Sequence, residues 1–326
     1  MDDKPNIIIE SLGTYLPPDS FSTDEVVNEC ANQIKFPLAR ITGIESRRMA
    51  GEKEFAIDLA KKAVEKCLEN SIYNPEDIDI VICCNISRED GPKMFSFEPS
   101  TSIKLKKHFN FTNAIVFDIS NACAGMFTGI HVVNAMIEAG SIRRGMVVSG
   151  EYITHLTKTA QREIESFMDD RIACLTLGDA GAAVILEKGL DNKTGFQKID
   201  LQTYGKYSPY CIAKEAETGG WIMTTDSVNL TDVAMKSGTK YALDILEKAG
   251  WKPEECNHLL MHQTSRMTLN SARQEINRML QDEVFDARNT INNLAERGNT
   301  ASTSHMVAVA DQISNDNIQT GDKIIF

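Results

Sequence analysis

Residues 116–126 read VFDISNACAGM, and the run changes character halfway along. Leading into it, Ala114-Ile115-Val116-Phe117 is β-branched and aromatic, which predicts a short buried strand. Past Cys123, the stretch from Ala124 to Ala135 has helical spacing, with Met126, Ile130, Val133 and Ala135 on one face. Cys123 therefore belongs on a tight strand-to-helix turn, close to the unpaired N–H groups of the first helical turn. Those groups and the helix dipole favour the thiolate. Cys123 is a candidate nucleophile on this reading; the competing reading is a small, buried, apolar cysteine.

Working outward, 326 residues exceed one typical domain, so two domains or one duplicated unit are expected. An apolar fraction of 42% and a charged fraction of 25% are ordinary for a soluble globular protein. The net charge of −12 excludes nucleic acid as a partner, which needs a cationic face. It leaves room for an anionic ligand held by a few local Arg and Lys side chains. No apolar run approaches the roughly 20 residues that span a bilayer. The N-terminus MDDKPNIIIE is acidic where a signal peptide is basic, and a cytoplasmic protein is expected. The eight cysteines never form C-x-x-C, which suits reduced thiols better than a disulfide framework. His258 and His262 stand four apart without a surrounding ligand cluster, so no metal site is expected there.

Along the chain, residues 6–15 read as a strand, and Thr23 as the N-cap of a short helix. RITGIESRR (40–48) reads as a basic loop in an acidic protein. Residues 55–71 form an amphipathic helix, 78–86 a strand, and a helix begins near Pro99-Ser100. GMVVSG (145–150) is a further buried strand. Residues 163–171 are a polar surface loop with Phe167 and Met168 turned inward, and IACLTLGDAGAAVILE (172–187) holds two strand-like runs. The polar stretch 189–195 marks a boundary between an N-terminal half, 1–189, and a C-terminal half, 190–326. The second half repeats the grammar of the first. Trp251-Lys252-Pro253-Glu254-Glu255 mirrors Asn74-Pro75-Glu76-Asp77, His258 to Met261 mirrors the strand at 78–84, and Val284-Phe285-Asp286 echoes Val116-Phe117-Asp118. Gly298-Asn299-Thr300 then leads a helix as Asn121-Ala122-Cys123 does. Alternating strands and helices in both halves predict a duplicated α/β unit with a mostly parallel sheet in each.

A thiolate nucleophile needs a base or electrostatic partner, and donors for the oxyanion it creates. His262 follows the strand HLLM and belongs at a strand end; Asn299 belongs at a helix N-terminus matching that of Cys123. Taken singly, the histidine can be satisfied by water and the asparagine can be a helix cap. The order Cys, His, Asn at equivalent ends of two related halves carries more weight than either residue.

With RITGIESRR, FDISNACAG, LGDAGAAVIL, MHQTS and ERGNTASTS in place, the chain resembles the thiolase superfamily nearly end to end. Within it, the resemblance is to the type-three β-ketoacyl-acyl-carrier-protein synthases and their acyl-CoA-condensing relatives of the olefin and pyrone branch. It implies the duplicated α-β-α-β-α layered fold and a Cys-His-Asn triad at Cys123, His262 and Asn299. By the same resemblance, Cys123 takes an acyl group from a thioester while His262 and Asn299 stabilise the enolate of the second substrate. Arg40 and Arg171 fall near the coenzyme A or phosphopantetheine entrance, a homodimer is implied, and no cofactor is required beyond thioester substrates.

Three departures from the family pattern stand out. The histidine motif is His262-Gln263-Thr264-Ser265 where ordinary fatty-acid initiators read His-Gln-Ala-Asn. Glu98 stands before Pro99-Ser100 where the family has Phe, on the loop that reaches into the partner subunit's acyl pocket. The sequence also closes at Phe326, whereas relatives continue through a Gly-rich strand that supplies an oxyanion-hole N–H.

The leading expectation is a carbon–carbon bond between two acyl thioesters. In a non-decarboxylative version, Glu98 acts as the base on the second substrate; a pyrone- or resorcinol-forming relative would join two β-ketoacyl chains. A decarboxylative synthase using malonyl carrier protein is the alternative. Two other classes remain, a simple acyltransferase or thioesterase and a non-catalytic partner subunit. The presence of Asn299 counts against the first, that of Cys123 against the second.

Overall fold

The structure, a computed structural model, describes residues 5–92 and 94–326. The acidic start at Met1 to Lys4 lies outside the described residues.

Nine buried or half-buried residues begin the first half as strand β1 (Ile7–Tyr15). Helix α1 (Ala56–Asn70) follows, burying Leu59, Ala63, Val64 and Cys67 along one stripe. Then come β2 (Ile80–Cys83), α2 (Thr101–Phe109), β3 (Ile115–Asp118), α3 (Gly125–Glu138), β4 (Arg144–Glu151), α4 (His155–Glu163) and β5 (Ala180–Lys188). These strands make one five-stranded sheet in the order β1-β5-β4-β2-β3. β2 runs parallel to β3 and β4, while β5 is antiparallel to β4 and β1. Alternation along the strands fills both faces. Val81, Met146, Val148 and Ile185 meet α1 on one side, and Ile80, Ile82, Val147 and Val184 meet α3 on the other. Met306 of the second half joins that second core, so the two halves share a layer. No helix among the described residues is long and apolar enough to cross a membrane.

The second half carries the hairpin β6 (Cys211–Glu215) and β7 (Trp221–Thr225), then α5 (Thr239–Ala249), β8 (His258–Leu259), α6 (Arg266–Leu280), α7 (Ser304–Ser314) and β9 (Ile324–Ile325). Its parallel sheet is reduced among the described residues to β8 paired with β9, with a single bridge from Leu259 to Thr290. The expected echo nevertheless holds at particular points. Pro75–Asp77 and Pro253–Glu255 are both single 3-10 turns ahead of a strand of a parallel pair. Val284-Phe285-Asp286 forms no strand, because Phe285 is drawn into the core and its N–H is taken by the Asn277 side chain.

Several local expectations are corrected. The short helix at Thr23–Asn28 is capped by Ser22, which completes a capping box with Glu25; Thr23 is buried and donates to the Ile44 carbonyl instead. RITGIESRR is a helix (Leu38–Thr42) and a strand (Ser46–Arg48) rather than a loop. Helix α2 is capped by Ser100, with Pro99 outside it. Residues 170–176 form a 3-10 helix, so only one strand follows in that region. Ile115 and Phe117 are 58% and 37% exposed, since β3 is the sheet's edge. Phe167 and Met168 also face outward, with Phe167 stacked on Phe36.

Candidate active site

The site begins where β3 gives way to α3. Asp118 closes the strand and accepts the N–H groups of Thr101 and Ser102 at 3.0 Å each, so it stabilises the start of α2. Residues Ala122–Ala124 form a 3-10 turn, with Ala122 forced to a φ of 43°. Cys123 sits half-buried on this turn, directly ahead of α3. Burial, then the carboxylate of Glu151 and the thiol of Cys211, pushes the Cys123 thiol up to about 12. This overturns the expectation of a helix-favoured thiolate. Desolvation of the charged form and a neighbouring anion outweigh the pull of the helix N-terminus.

The second half supplies a matching turn. Gly298 adopts a φ of 64°, and an added Cβ there would lie 2.9 Å from the Thr176 carbonyl, so only glycine fits. The bend places Asn299 against residues 176–178: its N–H donates to Thr176 at 2.9 Å and its carbonyl accepts from Gly178 at 3.0 Å. Asn299 Oδ1 accepts the Ala301 N–H at 3.0 Å. Its Nδ2 is left without an acceptor among the described residues. Ala301 has a φ of 53°, like Ala122, and the 3-10 turn Ala301–Thr303 runs into α7 as Ala122–Ala124 runs into α3. The two turns pack against each other. The expectation that two equivalent helix starts meet at the centre is met.

His262 follows β8. Its Nδ1 lies 2.7 Å from Ser304 Oγ, and its ring stacks on His305 at 5.8 Å. His305 meets Phe127 edge-on at 4.9 Å, and Phe127 is one turn along α3 from Cys123. Burial pulls His262 down to about 4, and burial with the adjacent His262 pulls His305 down to about 3. Both rings are neutral at pH 7. The Ser304 hydroxyl can donate to Nδ1 or accept from it, so either tautomer of His262 can be held. Nε2 has no partner among the described residues.

Glu98 is not part of this cluster within one chain. It is exposed on the loop after the hairpin formed by Glu89–Gly91 and Met94–Phe95, between Phe97, 77% exposed, and Pro99. Among the described residues it makes no hydrogen bond or ion pair. The base of the loop is held by Lys104, which bonds both Asp90 and Ser96. Of the two arginines, Arg40 is exposed on the helix Leu38–Thr42 and makes no ion pair among the described residues. Arg171 is held by Asp169 at 2.7 Å and Glu163 at 3.2 Å.

Sequence reading missed four residues here. Glu151, Ser302, Ser304 and His305 are buried and polar at the contact between the halves. Their only local trace is a lone acid closing GMVVSG and the polar run STSH at the start of an apolar helix. Among the described residues no group of three His, Cys, Asp or Glu side chains is placed to hold a metal ion. An apolar cleft of about 300 Å³ shares Phe127 with the site but contains none of Cys123, His262 or Asn299.

Residues 117–205 match the family 3-oxoacyl-[acyl-carrier-protein (ACP)] synthase III, and residues 246–326 match its C-terminal part, together just over half of the chain. A β-ketoacyl-[acyl-carrier-protein] synthase III of Neisseria gonorrhoeae is 26% identical over 97% of this chain and 93% of its own. Among solved structures, the synthase III of Thermus thermophilus superposes with a TM-score of 0.80 at 22% identity, over 97% of this chain and 93% of its own. Cerulenin-bound OleA of Xanthomonas campestris gives 0.84 at 21%, over 99% and 93%. The chain is a member of the thiolase superfamily, an acyl-transferring condensing enzyme of the synthase III type.

Proposed function

We propose that this enzyme joins two acyl thioesters without decarboxylation. The carrying observation is Glu98, a carboxylate without a partner among the described residues of its own chain, on an exposed loop flanked by exposed apolar side chains. A charge at the tip of such a loop is costly to bury in an apolar pocket unless the charge is used.

In the first half-reaction the Cys123 sulfur attacks the carbonyl carbon of an acyl thioester. Its proton passes to neutral His262 Nε2 and on to the departing thiolate, leaving an acyl group on Cys123. In the second, Glu98 of the partner subunit removes the α-proton of another acyl thioester. The enolate oxygen takes hydrogen bonds from His262 Nε2–H and Asn299 Nδ2. Its carbon attacks the acyl carbonyl, the carbon–sulfur bond to Cys123 breaks, and a β-ketoacyl thioester leaves. Arg40, exposed and without an ion pair among the described residues, is assigned to the phosphates of coenzyme A or phosphopantetheine; Arg171 contributes only by releasing Asp169 or Glu163. The similarity to OleA, solved with bound lauric acid and lauroyl-CoA, favours long acyl chains.

The test is direct. Two acyl-CoA molecules lacking a malonyl carboxylate should give a β-ketoacyl product by mass spectrometry, with no release of carbon dioxide. An absolute requirement for malonyl thioester, with stoichiometric carbon dioxide, would make this a decarboxylative synthase.

The reading requires a partner subunit, and the edge strand β3 is suited to forming one. It offers unpaired backbone groups together with exposed Ile115 and Phe117. Sedimentation at micromolar concentration should give a dimer, and Phe117→Glu should shift it toward monomer and lower condensation with it. A monomer that retains full activity would remove the shared-pocket reading.

A further inference from the structure

Of the two fully buried acids that the mechanism leaves unused, Asp179 and Glu151, it is Glu151 that bonds the turn Ala301–Thr303. Glu151 ends β4 in the interior and forms no ion pair with a Lys or Arg among the described residues. Donors surround it instead. Ser302 Oγ bonds it, Ser149 Oγ lies at 2.9 Å, the Ile86 N–H at 3.1 Å and the Ser87 N–H at 3.4 Å. Ser302 Oγ also lies 2.8 Å from Ser149 Oγ.

The placement of these donors gives the network its meaning. Ile86 and Ser87 follow β2, Ser149 is on β4, and Ser302 belongs to the second half. Ser302 is also the residue on the second turn that corresponds to Cys123 on the first, since each follows an alanine of positive φ and precedes a helix. Glu151 thus ties the first half to the turn that orients Asn299, beside the turn that carries Cys123. A carboxylate accepts only, and this one is supplied by donors from three chain segments.

We infer that Glu151 is a positioning residue that fixes the Asn299 turn against the Cys123 turn. The inference rests on the proposed function, in which Cys123 is the nucleophile and Asn299 a donor to the enolate.

The experiment measures acyl loading of Cys123 by intact mass, and steady-state condensation, in wild type, Glu151→Gln and Ser302→Ala. Asn299 acts on the second substrate, so both variants should load Cys123 at close to the wild-type rate. Condensation kcat should fall about tenfold or more in each, part of the ~10²–10³ lost with an oxyanion donor, with little change in KM. Wild-type kcat in Glu151→Gln overturns the inference. Should that variant not fold, full kcat in Ser302→Ala overturns it. Acylation of wild type away from Cys123 refutes the nucleophile, whereas an unchanged kcat refutes only Glu151.

Discussion

Cys123→Ala is expected to abolish both acyl-enzyme formation and turnover, with a loss on the scale of about 10⁶ seen when a covalent nucleophile is removed. The side chain is small and lies on a turn rather than in either sheet core, so the substitution should cost less than about 1.5 kcal/mol of stability. The fold, checked by circular dichroism, should survive. Intact mass after mixing with acyl-CoA should show one acyl adduct in wild type and none in the variant. Among the competing thiols, Cys83, Cys84 and Cys174 are buried, whereas Cys123 is half-buried at the turn. Cys211 is exposed, so peptide mapping must separate it from Cys123. An adduct on Cys211 or any buried cysteine, persisting in Cys123→Ala, would sink the assignment. Asn299→Ala serves as the contrast. It should load Cys123 normally and then condense about 10²–10³ more slowly, the usual cost of one lost oxyanion donor.

Glu98→Gln should separate the two half-reactions. Acylation of Cys123 needs no base on the second substrate, so labelling should be as fast as in wild type. Condensation should fall by about 10²–10⁴, the contribution of a positioned general base. Gln keeps the shape and the hydrogen bonding of Glu but cannot take the α-proton. Because Glu98 is solvent-exposed and has no partner among the described residues of its own chain, its replacement should leave stability unchanged within about 0.5 kcal/mol. In mixed dimers of Glu98→Gln with Cys123→Ala, one site has both intact groups only if Glu98 acts across the interface. Recovery of activity on mixing therefore supports the base in the partner's pocket. Unimpaired condensation by Glu98→Gln would reduce Glu98 to an acid at a helix start.

The sequence by itself determined those features that depend on neighbours along the chain. The strand–turn–helix around Cys123 is a local signal, and so is the helix start after Gly298-Asn299-Thr300; both formed where expected. Order and spacing of Cys, His and Asn likewise need no knowledge of the fold. What only the tertiary structure decided is the electrostatic state of the site. The helix N-terminus argued for a thiolate, yet a carboxylate 28 residues further on and desolvation of the sulfur raise the thiol. Arg171 looked free in sequence and is held by two acids. Ile115 and Phe117 looked like core residues and are exposed, because a β-branched run does not say whether its strand is central or at an edge. Desolvation, charge pairing and edge position are all set by groups distant in sequence. That is why the candidate residues could be named from the chain while their surroundings, their partners and their second-half supports, Ser302, Ser304 and His305, became visible only when the two halves were brought together.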